Sequence, residues 1–463
     1  MSQPRRAAGG GVLAIFAVCL VGVGSAHGQS SITTWTGLGS DANFSTVENW
    51  STNAVPVTGT GSFLVFSGTA SGLTLNNDLV ATSSTFGQLQ FLSPFTLNGT
   101  TLTLGNRNNN TVEITAAGAG GNVVINAPIA WNETQPRLGA GSGQTMTLNG
   151  LLTDVFGNSE VLVSDPGKVV FTNAGNSFVQ NVGVTNTSGT LSTPHLANGG
   201  LASGIGVGTQ IRLGNAGQLG NFEYTGDTVS TDRQIVIGGG TELTNTGGSR
   251  IFSSGSGALT FSNAAFNVPR TGDSASRLLQ LGGSFTDAAN IITGVIADNS
   301  ATALVSLQKI DAGTWRLDGI NIYTGTTRVV AGSLIVNGTH TGPGLASVAS
   351  GARIGGTGSL AGGLTIDSGG LFVFNPLNPT LNVAGAVTLA NSFSVGSLVN
   401  SDGSVIDWGS VANATYTLIG LTSSTFNNIT NFGASNPYDI GGGRSAYFTN
   451  GSLQLVVVPE PST

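Results

Sequence analysis

The chain is almost without cysteine. Its single Cys19 falls inside an apolar N-terminal leader, so the remainder can form neither a disulfide nor a thiolate metal site. Charge is scarce as well: 8% of the 463 residues are Asp, Glu, Lys or Arg, against about 25% in ordinary globular proteins. The 15 Lys and Arg form no run beyond Arg5-Arg6. A stripe able to neutralise phosphates is absent, which excludes nucleic acid as a partner. Histidine occurs three times, as His27, His195 and His340, without Asp, Glu or His neighbours at metal-ligand spacing. His195 and His340 stand in turn-like stretches and read as solvated loop residues. Gly167-Lys168 is followed by Val169, so it is not a phosphate-cradling loop. No Gly-x-Ser-x-Gly elbow sits between a strand and a helix. The sequence thus names no catalytic residue, no cofactor and no metal site.

What is present is glycine, 72 residues or about one in six, together with abundant Ser, Thr and Asn. Disorder is excluded by an apolar content of 39%, because disordered chains are poor in hydrophobic residues. Outside the leader no amphipathic helix is evident. Short runs with a period of two recur instead, closed by Gly, Asn or Ser: Leu102-Thr103-Leu104, Val123-Val124-Ile125, Met146-Thr147-Leu148, Ile235-Val236-Ile237, Ala258-Leu259-Thr260-Phe261 and Leu334-Ile335-Val336. The pattern fits an all-β sandwich, barrel or β-helix. Internal similarity favours the β-helix. The clearest unit runs from Gly313 to Leu334, and an eroded echo lies at Gly167, Val169, Phe171, Asn176, Phe178, Gly189 and Leu191. Alternation along a strand turns Trp315 and Leu317 towards a core and Thr314, Arg316 and Asp318 towards water. One coil cannot bury its apolar side alone, so coils stack. The expected fold is a parallel β-helix, right-handed by the crossover rule. At roughly 20–25 residues per coil it makes a rod on the order of 70 Å long.

The two ends carry address-like segments. Residues 1–28 read as a signal peptide: Arg5 and Arg6, an apolar run from Val12 to Val21, then small residues with cleavage after Ala26 or after Gly28. The apolar run is short for a membrane span. The tail Val456-Val457-Val458-Pro459-Glu460-Pro461-Ser462-Thr463 resembles the start of the bacterial PEP-CTERM sorting signal, carried by Pro459, Glu460 and Pro461. That signal continues into an apolar helix and a basic cluster, and residues 456–463 match only its first part. The expectation is either a truncated sequence or a protein that escapes the membrane.

The Gly313–Leu334 unit resembles the autotransporter-associated β-strand repeat of large bacterial surface proteins. The residues that carry the likeness are Gly313, Trp315, Leu317, Gly319, Asn321, Tyr323, Gly325, Thr327, Val329, Gly332 and Leu334. Lys309 also fits, whereas Asp311 stands where that family usually has glycine. Trp35-Thr36-Gly37, Asn49-Trp50 and Ser230-Thr231-Asp232-Arg233 fit the same group. The resemblance implies a passenger-like β-solenoid of degenerate repeats over 29–375, followed by a β-rich cap segment over 376–455 and the partial sorting motif at 456–463. Tyr416-Thr417-Leu418-Ile419 and Leu453–Val457 are the expected strands of the cap. The implied function is a structural or adhesive protein exported to the cell surface or the extracellular matrix. Its implied partners are extracellular polysaccharide or other surface proteins, besides the export and sorting machinery.

A carbohydrate-active β-helix enzyme, a polysaccharide lyase or hydrolase, is the alternative. Such enzymes gather carboxylates or a basic residue at one place, and the 22 acidic residues here are scattered. Asp232-Arg233 is read as a strand-opening turn before a glycan contact. Trp35 and Trp50 are read as packing into an N-terminal cap before a sugar-stacking face. An ice- or crystal-binding face needs Thr-x-Thr in register, and Thr101-Leu102-Thr103 and Thr145-Met146-Thr147 do not recur regularly.

Overall fold

The computed structural model describes residues 31–459, apart from 68–73, 81–83, 106–111, 117–120, 156, 158–159, 185–187, 215–217, 239–247, 269–274, 421–423, 427 and 451. The leader with Cys19 and His27, and Glu460 and Pro461 of the tail, lie outside the described residues. Pro459 ends the last strand.

The chain is a parallel β-helix, and no α-helix occurs among the described residues. Each regular coil makes three strands. In one coil these are Val305–Lys309, Thr314–Leu317 and Ile320–Asn321, after which Thr327–Val329 returns to pair with the first. One face is an unbroken 14-stranded sheet. At the usual strand spacing of ~4.8 Å it spans about 60 Å. In the N-terminal half the other two faces belong to one 13-stranded sheet that forks at Thr85–Phe91. Thr85 and Phe86 of this strand pair with Thr103 and Leu104, while Leu89 to Phe91 pair with Ile114 to Ala116. In the C-terminal half two 8-stranded sheets complete the triangle.

Coil length varies more than the expected 20–25 residues. Thr327 pairs with Ala346 and Ala346 with Leu364, so these coils hold 19 and 18 residues (327 to 346, 346 to 364). Thr190 pairs with Asn221, a coil of 31 residues (190 to 221), because 194–208 loops out of the wall before the next strand. Parallel pairing also runs beyond residue 375, to Leu398 and Val399 on Phe372 and Val373.

Stacking in register builds the core. Leu75, Leu97, Ile125, Leu148 and Phe171 form one inward column, each fully buried. The first coils are plugged by Trp35, Phe44, Trp50 and Phe66; the two indoles meet edge to face with centroids 5.0 Å apart. Both tryptophans are buried, which removes the sugar-stacking reading of this pair. At the other end, Thr415–Gly420 still runs parallel to Leu381–Val383. It then pairs antiparallel with Leu453–Pro459, which pairs with Arg444–Thr449. The sheet finishes on the two-residue strand Tyr438–Asp439, a short edge that offers little template for further pairing.

The outer surface explains how so little charge suffices. Asparagines on successive coils bond to one another: Asn76 Nδ2 donates to Asn43 Oδ1 at 2.8 Å, Asn126 to Asn98 at 2.7 Å and Asn149 to Asn126 at 2.8 Å. Farther along, Arg250, Gln280 and Gln308 are linked in the same way. Such ladders, amides with one guanidinium among them, hold adjacent coils together and keep the surface wettable with few ionic groups.

Candidate functional site

The repeat unit is where sequence and packing meet most closely. Trp315, Leu317, Tyr323, Thr327, Val329 and Leu334 all point inward and are buried. The Trp315 indole donates to Gly282 O at 2.9 Å, and the Tyr323 hydroxyl lies 2.6 Å from Thr327 Oγ1. Asn321 accepts a hydrogen bond at Oδ1 from Ile296 N of the previous coil, at 3.0 Å. Asn176 does the same for Leu152 N at 2.8 Å, and its Nδ2 donates to Gly204 O at 2.8 Å. Each asparagine is followed two residues later by a buried ring, Tyr323 or Phe178. The eroded echo therefore uses the same device.

The glycines of the unit mark close approach at the corners. A Cβ on Gly319 falls 2.3 Å from Gly294 O, one on Gly338 2.1 Å from Gly319 O, and one on Gly358 1.9 Å from Gly338 O. Gly325 and Gly344 repeat this at the next corner, 2.3 Å from Val305 O and 1.9 Å from Gly325 O. Backbone stacks directly on backbone there, so no side chain fits. A Cβ on Gly313 falls 2.8 Å from Gly283 O, and Gly332 combines close approach with φ +64°.

Several polar residues sit elsewhere than the sequence implies. His340 is not a solvated loop residue. It belongs to the strand Thr339–His340, is 2% exposed, and stacks in register between Asn321 and Leu360. Alternation from the exposed Thr339 turns its ring inward. His195 remains exposed. Thr314, expected to face water, is buried because the hairpin loop 400–404 folds over it: Ser401 O accepts from Thr314 Oγ1 at 3.5 Å and from Ser333 Oγ. Arg233 is 1% exposed, so it presents nothing to a glycan. The excursion at 194–208 wraps around its guanidinium, which donates to the carbonyls of Ala197, Leu201, Gly206 and Gly208. Burial pushes Arg233 down to about 10, against the pull of Asp232. Lys309 is buried too, and its Nζ donates to the carbonyls of Ile310, Asp311 (2.8 Å) and Ala331 (3.1 Å). Burial takes it down to about 7; Asp311 opposes the fall and Arg353 adds to it.

Among the described residues no three or more His, Cys, Asp or Glu converge. Several carboxylates fasten loops. Asp298 accepts from Val305 N at 2.7 Å and Thr324 Oγ1 at 2.7 Å, Asp232 from Gly199 N at 2.7 Å, and Asp311 from Gly283 N at 3.0 Å.

A groove of about 820 Å³ lies on one face of the C-terminal half. Arg316, Ile335 and Val373 come from three strands of that face and form its floor. Its walls are Thr286–Ala289, the Asn375–Asn378 turn and the 400–404 hairpin loop. The hairpin is held by Asn400 N donating to Ser404 O at 2.9 Å, and by Asp402, whose Oδ1 accepts from Ser404 N at 2.8 Å and Ser404 Oγ at 2.7 Å. These bonds keep the Asp402 carboxyl below the usual carboxylate range. Arg316 is forked onto Asp318 at 2.8 and 2.9 Å. The sequence gives no signal for this groove, because its parts, from Thr286 to Ser404, lie more than a hundred residues apart and converge only through stacking.

No family model matches the chain, and no solved structure matches it. Over 202 residues it is 35% identical to a curated protein of Brucella suis biovar 1 (strain 1330) named "Adhesin BmaC autotransporter". The chain is similar to an autotransporter adhesin. The match covers 43% of this chain and 5% of that much longer protein. The autotransporter-like character of the repeats, expected from the Gly313–Leu334 unit, thus has a counterpart among curated proteins.

Proposed function

We propose that this protein is an exported, non-catalytic adhesive rod of a bacterial surface or extracellular matrix, with extracellular polysaccharide or other surface proteins as its partners. The observation that carries the reading is the similarity of 202 residues to an adhesin, set on a parallel stack of about 60 Å. A β-helix of this kind suits display: each coil contacts its neighbours alone, so length is added without a larger core. Arg233 and Lys309, the buried cations described above, are held by backbone carbonyls, which supports a scaffold over a catalyst. The Pro459-Glu460-Pro461 motif supports sorting to the cell envelope and thereby a link to exopolysaccharide or biofilm.

Beads coated with the purified chain, mixed with bacterial biofilm, test this reading. Retention well above albumin-coated beads, without release of new reducing ends from the matrix, is the expected outcome. Release of reducing ends or of unsaturated sugar products points instead to a polysaccharide hydrolase or lyase.

A further inference from the structure

We propose that the groove on the C-terminal half binds an uncharged, hydroxyl-rich chain, a segment of neutral polysaccharide lying along the solenoid axis. The inference rests on the adhesive reading and assigns that reading a site.

The shape comes from the stack. Arg316 pairs with Ile335, Ile335 with Gly355, and Gly355 with Val373. These outward positions follow one another at ~4.8 Å. Gly355 is buried and presents no side chain; Val373 leans over it, as a Cβ there would fall 2.7 Å from the Val373 Cβ, so nothing stands up between Ile335 and Val373. The floor is therefore a low trough running from coil to coil, which suits an extended chain better than a compact ligand.

The chemistry comes from the walls. Asn337, Thr357 and Asn378 are exposed on the lining. A side-chain amide offers two donors and an acceptor, and a hydroxyl offers one donor and two lone pairs. Asn337 Oδ1 already accepts from Thr357 N at 3.2 Å and from Thr357 Oγ1 at 3.4 Å, which leaves the Asn337 NH2 as donor, the Thr357 oxygen as acceptor and the Asn378 amide as both. Sugar hydroxyls, which both donate and accept, match that set. Anions do not. Arg316 is the sole cation among the described lining residues, and Asp318 already neutralises it. Asp402 at the rim faces Arg353 beneath the hairpin, and Asp287 leaves the trough slightly negative, on a chain of net charge −7, which repels polyanions.

The groove also lacks a stacking platform. Its aromatic lining residue Phe374 is 1% exposed and packs against Trp408 at 6.1 Å. Each sugar is then held by hydrogen bonds alone, and retention comes from several coils engaging one polymer. Long chains bind and short oligosaccharides are weak.

Affinity electrophoresis of the full chain tests the site, with dextran, galactomannan and xylan as neutral polymers and alginate as the anionic one. The expected result is retardation by at least one neutral polymer and none by alginate. Thr357→Trp, which fills the trough by bulk, and the pair Asn337→Ala with Asn378→Ala, which removes two amides and their hydrogen bonds, each weaken retardation by about fivefold or more. Thr388→Trp, exposed on the 14-stranded face, changes nothing. Far-UV circular dichroism checks that each variant keeps its β-structure, and Asn378→Ala alone, on an exposed turn, serves if another variant unfolds. No retardation by any of the three neutral polymers overturns the proposal, as does stronger retardation by alginate. Retention of beads on biofilm that survives both groove variants overturns the site and leaves the adhesive reading standing.

Discussion

His340 lies flat on Tyr323, ring centroids 4.1 Å apart and planes 25° from parallel, and its Nε2 hydrogen-bonds the Tyr323 carbonyl at 2.8 Å. The pair closes one corner of the core, with Thr327 on the Tyr323 hydroxyl and Asn321 one coil below His340.

That geometry makes stability sensitive to mild acid. Burial holds His340 below its ordinary 6.5, with the Tyr323 carbonyl and Asp298 pulling the other way. As pH falls below about 6.5 the unfolded chain binds a proton that the folded chain resists, so stability falls. Urea midpoints of the wild type are expected to drop between about pH 7 and about pH 5 by more than those of His340→Phe. Parallel pH profiles for the two proteins would falsify this placement of the ring.

Lys309 acts at the other end of the scale. Its folded value near 7 stands below the ordinary 10.5, so between those values the unfolded chain holds the proton that the folded chain has released. Stability from this group rises with pH across that window. Lys309→Met is expected to lose the rise, and to cost about 1–3 kcal/mol through the carbonyls it strands. Denaturation midpoints of both proteins at about pH 7 and about pH 10 decide the matter; an unchanged slope in the variant contradicts it.

The glycine columns give a position-specific prediction. Gly338→Ala drives a Cβ to 2.1 Å from the carbonyl of Gly319 and is expected to cost 3 kcal/mol or more, roughly the level of the severest single substitutions. Gly351→Ala meets nothing within 4 Å but sits at φ +76°, and is expected to cost about 1–2 kcal/mol. Gly61→Ala, in open space without positive φ, is expected to be neutral or stabilising by up to about 1 kcal/mol. Thermal unfolding of the three variants ranks them, and an equal effect at all three counts against direct backbone stacking at the Gly338 corner.

The two buried asparagines should behave alike. Asn321→Ala strands Ile296 N and Asn176→Ala strands Leu152 N, each at about 1–3 kcal/mol. Asp at either position is expected to be worse, because it buries a charge or must stay protonated. Chemical denaturation of the four variants measures this. An Asn→Ala change without cost shows that the amide does not staple its coil to the next.

The strands and their inward faces were legible because alternation writes itself directly into residues such as Trp315, Leu317 and Leu334. The parallel stack was legible from one well-formed unit. His340 was misread because Gly338-Thr339-His340 looks like a turn; in a coil this tight, two residues between corners already form a strand. The burial of Thr314 depends on a loop almost ninety positions later, the groove on six separate segments, and the amide ladders on coils of unequal length. Asn98-Gly99, Asn149-Gly150 and Asn337-Gly338 recur at coil corners, and that pairing was the available signal for the amide and glycine columns.

The most direct test of the account is attachment by display. The full chain, fused to a surface carrier on a non-adherent bacterium, is to be compared with the carrier alone by counting cells that remain on biofilm matrix after washing. The account predicts several-fold more retained cells with the chain displayed, and no degradation of the matrix beneath them. Equal counts at confirmed surface display, or matrix dissolved around the displaying cells, would contradict it.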